Sequence, residues 1–224
     1  MQSGLLGLGL KQLTSALNIT TGAPVLYNPI VSTLFNVDTF DPPLANQFSL
    51  TLSRDDSATG NGGVVTFGGI PDLEDPAING SSTPTSASWQ YTNSISTDQF
   101  YFYSILVDGF VVGSDTYDPG FQIIIDSGAN SFQVPEDTAN LINSYWSPPM
   151  EPNFTISCDA VLEVPIGVAI GGETYYIESR DLMAPWEGSC VSLVSSGAED
   201  LFLVGGPLLK NVVALFDFDY QNIS

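Results

Sequence analysis

Ile123-Ile124-Ile125-Asp126-Ser127-Gly128 occurs once in the chain, and its reading decides the fold. Three consecutive β-branched apolar residues favour a strand covered on both faces. That strand delivers Asp126 into a tight turn, with a hydroxyl beside it and a glycine after it. Gly128 permits a sharp turn and lets its backbone N–H approach the carboxylate. Asp-Ser-Gly by itself is a common turn tripeptide, and short motifs carry a high false-positive risk. The Ile triplet before it adds weight, as does the apolar-apolar-glycine set Leu203-Val204-Gly205 about eighty residues later.

Composition narrows the chemistry. The 224 residues include no histidine, which excludes Ser–His and Cys–His nucleophile pairs, His-ligated zinc and an imidazole base. A carboxylate is the best catalytic group left. Twenty-five acidic residues against four basic ones give a formal net charge of -21. Such a surface repels phosphate backbones and acidic membranes, so neither nucleic acid nor membrane is expected as a partner. Self-repulsion strains the folded state at neutral pH and falls at about pH 3–4, where carboxylates protonate. The composition suits acidic surroundings, and equally an ordinary soluble protein with an acidic surface.

Cys158 and Cys190 are the only cysteines and, without histidine, make a poor metal site; no metal or cofactor is expected. If paired, they close a loop worth about 3–4 kcal/mol in the chain-entropy model. Sequons stand at Asn18, Asn79, Asn153 and Asn222, and add little in a chain this rich in Ser and Thr. The cysteines and the charge favour a secreted or vacuolar protein. The opening Met1-to-Leu10 stretch lacks a basic n-region and is broken by glycines, so it is not read as a signal peptide. No apolar run approaches the roughly 18 residues of a membrane span.

Period-2 patterns dominate: Phe48–Ser53, Val64–Phe67, Tyr101–Val107 and Val161–Ile170 read as strands of mostly antiparallel sheets. Helices are expected at Lys11–Leu17 and from Pro135, as the first helical residue, to about Tyr145. Residues 74–98 are polar and rich in turn formers. The expected class is mainly β, with a boundary that divides residues 1–95 from 96–224. The aromatic run Phe100–Tyr103 is assigned to the core, and Asp38, Asp217 and Asp219 to loops or surface.

Taken in order, these segments resemble the pepsin-like aspartic endopeptidases. Ser3 to Gly9 resembles the end of the N-terminal lobe's psi-loop, with Leu5, Leu6 and Gly7 at its closure. Phe48–Asp55 and Gly62–Gly69 resemble paired strands before the inter-lobe crossing, and Tyr103–Gly113 the start of the C-terminal lobe. Ile123–Gly128 with Val134-Pro135-Glu136 resembles the second catalytic motif and its helix, Cys158 and Cys190 that lobe's disulfide. Leu203-Val204-Gly205 resembles the closing psi-loop, and Leu208–Asp217 the final strands. The resemblance implies a bilobal β fold and hydrolysis of peptide or protein substrates at acidic pH by an aspartate dyad and an activated water. It implies Asp126 as one catalytic residue, and Ser127 and Gly128 as support for its turn. A monomer without cofactor is expected.

The sequence also departs from that family. There is one Asp-Ser-Gly and no Asp-Thr-Gly. The lobes repeat approximately, so counting the Asp126-to-Gly205 interval back from Gly7 puts the other aspartate about seventy positions ahead of Met1. On this reading the fold is truncated, and the flap is missing with that aspartate. Ala129 stands where a hydroxyl is usual, and Gly206 where an aspartate commonly follows the closing glycine. An inactive remnant that binds peptides or proteins is the alternative. A symmetric dimer with one Asp from each chain is less favoured, because the N-terminal residues would obstruct it. A glycosidase is least favoured, because nothing marks a second acid at about 5–10 Å.

Overall fold

The computed structural model describes residues 6–35, 43–54, 62–72, 85–91, 95, 98–197 and 202–224. Among them are many short strands and three short α-helices, Ile30–Phe35, Glu136–Asn143 and Gly206–Leu209. No helix among the described residues is long and apolar enough to cross a membrane.

Three sheets carry the architecture. The first runs Val194–Ser196, Phe132–Val134, Phe202–Val204, Gln122–Ile125, Ser104–Leu106. Ile123, Ile124 and Ile125 are all buried within it, as a triple-apolar strand with neighbours on both edges requires. The second sheet is antiparallel and runs Glu173–Ile177, Ile166–Ile170, Gly109–Val112, Asp115–Tyr117. The third, also antiparallel, runs Gly63–Phe67, Gln47–Leu52, Ala214–Asp217, Asn222–Ile223, Ala87–Ser88. It therefore joins strands from before residue 95 to strands from the chain's end.

Phe48 and Phe216 face each other across that third sheet and stack at 4.6 Å between ring centroids. Tyr103 packs edge-on against both, and Trp89 edge-on against Tyr103. Burial holds the Tyr103 phenol well above the ordinary tyrosine value, and its hydroxyl donates to Leu8 O at 2.6 Å. Above about pH 10 the unfolded chain releases the phenolic proton while the folded protein retains it. The stabilisation is complete below that value and is lost progressively as pH rises from it toward the higher pKa of the folded state. Tyr103→Phe is expected to cost about 1 kcal/mol at neutral pH through the lost hydrogen bond. It is also expected to flatten the loss of stability above about pH 10. Urea unfolding at a neutral and an alkaline pH checks both, and parallel pH profiles in the two proteins would contradict the account.

Local departures from the periodic reading have physical causes. Lys11–Leu17 does not form a helix; a 3-10 turn covers Lys11–Leu13 and a short strand follows at Ala16–Leu17. Thr14 turns its hydroxyl back onto Lys11 O at 2.8 Å, a local bond that competes with helix propagation. The second helix covers Glu136–Asn143, with Pro135 as its N-cap residue in place of its first helical residue. Val161–Ile170 divides into Val161–Leu162 and Ile166–Ile170, and Pro165, which has no N–H for a ladder, stands at the break. In the Tyr101–Val107 stretch only Ser104–Leu106 is paired as a strand. Asp38 and Leu5 lie outside the described residues.

Candidate active site

The strands Gln122–Ile125 and Phe132–Val134 follow one another in the chain but do not pair. Phe202–Val204 lies between them, parallel to the first and antiparallel to the second. The link from Asp126 to Ser131 must therefore cross the end of an inserted strand. Backbone bonds fix that crossing. Asp126 N donates to Val204 O at 3.2 Å, Gly205 N to Ser131 O at 3.2 Å, and Gly206 N to Ala129 O at 2.8 Å. Every bond runs between the aspartate turn and the segment that leaves the inserted strand.

Glycine is required at 205 by close approach. A Cβ there would stand 2.0 Å from Ala129 O and 2.6 Å from Asp126 O. Gly205 and Gly206 are buried, and Pro207 stands in the first turn of the helix Gly206–Leu209. The closing apolar-apolar-glycine set thus packs directly beneath the turn that carries Asp126.

Asp126 itself is half-buried, while Ser127 and Gly128 are exposed. The Asp126 Oδ1 accepts the Gly128 N–H at 2.8 Å, and Ala129 N donates to Asp126 O at 3.1 Å. A Cβ on Gly128 would meet Oδ1 at 3.2 Å, so a larger residue would crowd the carboxylate. The carboxylate is held at one oxygen by a backbone donor and lies at the end of a rigid buried strand. A group held in this way can accept a proton or orient a water with little reorganisation.

Leu6 and Gly7 lie in a different setting. Both are exposed and precede the 3-10 turn, and neither belongs to a strand. Asp217 lies in the strand Ala214–Asp217, and its Oδ1 accepts the backbone N–H groups of Asp219 and Tyr220 at 2.9 Å each. Cys158 and Cys190 are joined as a disulfide.

Sequence reasoning missed a polar cluster built on one buried carboxylate beside the closing helix. Asp181 is buried, and its Oδ2 accepts Arg54 Nε and Asn211 Nδ2, each at 2.9 Å. Arg54 also donates to Asn211 Oδ1 and pairs with Glu178. Asn211 Nδ2 donates in addition to Pro207 O at 2.8 Å, which ties the cluster to the helix that follows Gly205. Lys210 and Arg180 complete it, so three of the chain's four basic residues gather around Asp181 and Glu178. Their scarcity was the available signal: four cations in so acidic a chain are worth placing individually.

A strand inserted between two strands joined by an Asp-Ser-Gly turn, in a mainly β chain with three short helices among the described residues, is the arrangement of the pepsin-like proteases. The family model for eukaryotic aspartyl proteases matches residues 1–224. The chain belongs to that family. Among curated proteins it is 32% identical to a probable aspartic-type endopeptidase of Aspergillus fumigatus, over 96% of this chain and 51% of that protein. It is 26% identical to rhizopuspepsin-3 of Rhizopus niveus, over 98% of this chain and 51% of the relative. Syncephapepsin of Syncephalastrum racemosum is 23% identical over 96% of the chain and 49% of its own length. The chain spans about half the length of the curated relatives it matches.

Proposed function

We propose that this chain supplies one carboxylate, Asp126, to a two-carboxylate peptidase site that hydrolyses peptide bonds in acidic surroundings. The observation that supports this most is the inserted strand, which locks the Asp126 turn through backbone bonds on both sides and leaves its carboxylate half-exposed. Two such carboxylates about 3 Å apart cannot both ionise and so share a proton. The ionised one takes a proton from a bound water, and the other polarises the scissile carbonyl. Gly128 N–H fixes the Asp126 carboxylate, and the Ser127 hydroxyl is assigned to locking its turn against the partner turn. Leu203, Val204 and Gly205 close the motif from below, and Leu6 and Gly7 are assigned the matching role in the other lobe. In the proposed division, residues 1–95 belong to the N-terminal lobe and the inter-lobe strands, and 96–224 to the C-terminal lobe. The substrate is a peptide or an unfolded protein, the working form a monomer, and the setting extracellular or vacuolar.

These 224 residues contain a single Asp-Ser-Gly and no Asp-Thr-Gly. Alone they are expected to give no pepstatin-sensitive cleavage of an acid-denatured protein at about pH 3–4. Such cleavage by the purified 224-residue monomer would contradict the need for a second carboxylate.

A second reading, a peptide- or protein-binding module, draws on one observation. Leu6, Leu13, Leu17, Ile19, Val25 and Leu26 are all exposed along one segment. Large apolar side chains exposed in such number over one stretch of chain suit a contact surface. Peptide binding that is undiminished in Asp126→Ala would favour the module over the peptidase.

A further inference from the structure

Three of the chain's four sequons lie among the described residues, and their geometry separates them. Asn18 stands in an exposed turn, with Ile19 fully exposed and Thr20 exposed. Its Oδ1 accepts the Thr20 N–H at 2.9 Å and the Thr21 N–H at 3.0 Å. Asn153 repeats this arrangement more than a hundred residues away. It is exposed, Phe154 is exposed at φ 64°, and the Asn153 Oδ1 accepts the Thr155 N–H at 3.3 Å. In both, the carboxamide oxygen is occupied by the N–H of the hydroxyl residue. Hydrogen bonding at that oxygen makes the Nδ2 protons more acidic, which suits the loss of one of them on transfer, and the exposed turn leaves room at the nitrogen. Asn222 differs. It is half-buried in the strand Asn222–Ile223, paired on one side with Asp217 and on the other with Ser88, and Ile223 beside it is buried. The side chains of Asp217 and Ser88 stand on the same sheet face at either side of it and would crowd a bulky substituent.

We propose that Asn18 and Asn153 are N-glycosylation sites and that Asn222 is not, with a polyprenyl-diphosphate oligosaccharide as the donor. In the transfer, Nδ2 forms the bond to C1 of the first sugar and the C1–oxygen bond to the diphosphate breaks. The polyprenyl diphosphate leaves with the bonding electrons, and Nδ2 gives up one proton. Two properties of the folded chain fit the product. The Cys158–Cys190 disulfide belongs to an oxidising compartment, where this transfer takes place. The exposed Ile19 and Phe154 give the first sugar's apolar face a surface to cover. The inference does not depend on the role of Asp126.

The test is to secrete the chain from yeast behind an added leader, in an Asn79→Gln background so that only the three described sequons remain. Endoglycosidase trimming to a single sugar, followed by peptide mass spectrometry, reads each site. The expected result is a residual sugar on Asn18 and on Asn153 and none on Asn222. Asn18→Gln and Asn153→Gln should each remove one glycan from the intact mass, and Asn222→Gln none. Thr20→Ala and Thr155→Val remove the same sequons while retaining the asparagines, which guards against a folding defect in the first pair. Secreted protein without sugar at either Asn18 or Asn153, or with sugar on Asn222, would overturn the proposal.

Discussion

Gly205→Ala is expected to unseat the Asp126 turn and to cost about 4 kcal/mol or more, at the extreme of single-residue effects. The reason is geometric. The added carbon would stand 2.0 Å from Ala129 O and 2.6 Å from Asp126 O, both backbone atoms that cannot rotate away. Relief requires the inserted strand and the aspartate turn to separate, which breaks the Gly206-to-Ala129 and Asp126-to-Val204 backbone bonds. Gly206→Ala is the control. Its Cβ would meet the Asn130 side chain at 3.1 Å, and a side chain can shift for about 1 kcal/mol. Urea unfolding gives the stability difference, and amide hydrogen exchange at Gly206 locates it. Equal and small losses in the two variants would mean that the turn is not seated as described.

The second large effect is expected at Arg54. Arg54→Met is expected to cost about 3 kcal/mol, because it leaves the Asp181 carboxylate buried without its closest cation. The Asp181 side chain is only 3% exposed, and Lys210 stands 4.0 Å from its other oxygen, too far to replace a 2.9 Å contact. Removing both charges, as Arg54→Met with Asp181→Leu, should restore most of the loss, to within about 1 kcal/mol of the parent, because no deeply buried charge then remains and the partly exposed Lys210 keeps its access to water. The thermodynamic cycle is measured by urea unfolding near neutral pH. A single substitution as mild as the double would show that Asn211 and Lys210 satisfy Asp181 by themselves.

What could be read from the residues follows from the range of the interactions. The Ile123–Ile125 strand, Phe48–Ser53 and the Glu136 helix carry their signals locally, in β-branched runs, alternation and acidic first-turn residues. Their structures lie close to where the sequence placed them. Lys11–Leu17 misled because the backbone turns extended at Thr14 and Ala16–Leu17 then pairs with Pro24–Val25, a contact that the local periodicity does not announce. Ile30–Phe35 went unread because so short a helix has little periodicity to detect and a single buried residue, Val31. Arg54 and Asp181 lie 127 positions apart, and no local pattern announces a pair that only the third sheet and the closing helix bring together. At the candidate site, Asp126 and Leu203-Val204-Gly205 were legible as separate motifs. That one is threaded beneath the other is a property of strand insertion, which the residues name only through the glycine at 205.

Asp126 is the proposed catalytic carboxylate, one of two. The most direct test joins this chain to the half of the Aspergillus fumigatus relative that it does not match, and measures kcat/KM for a peptide substrate at about pH 3–4. The account predicts pepstatin-sensitive cleavage by the fusion, and a loss of about 10^3-fold or more in Asp126→Asn, with the urea midpoint unchanged. An Asp126→Asn fusion that retains kcat/KM within about tenfold of its parent would contradict it.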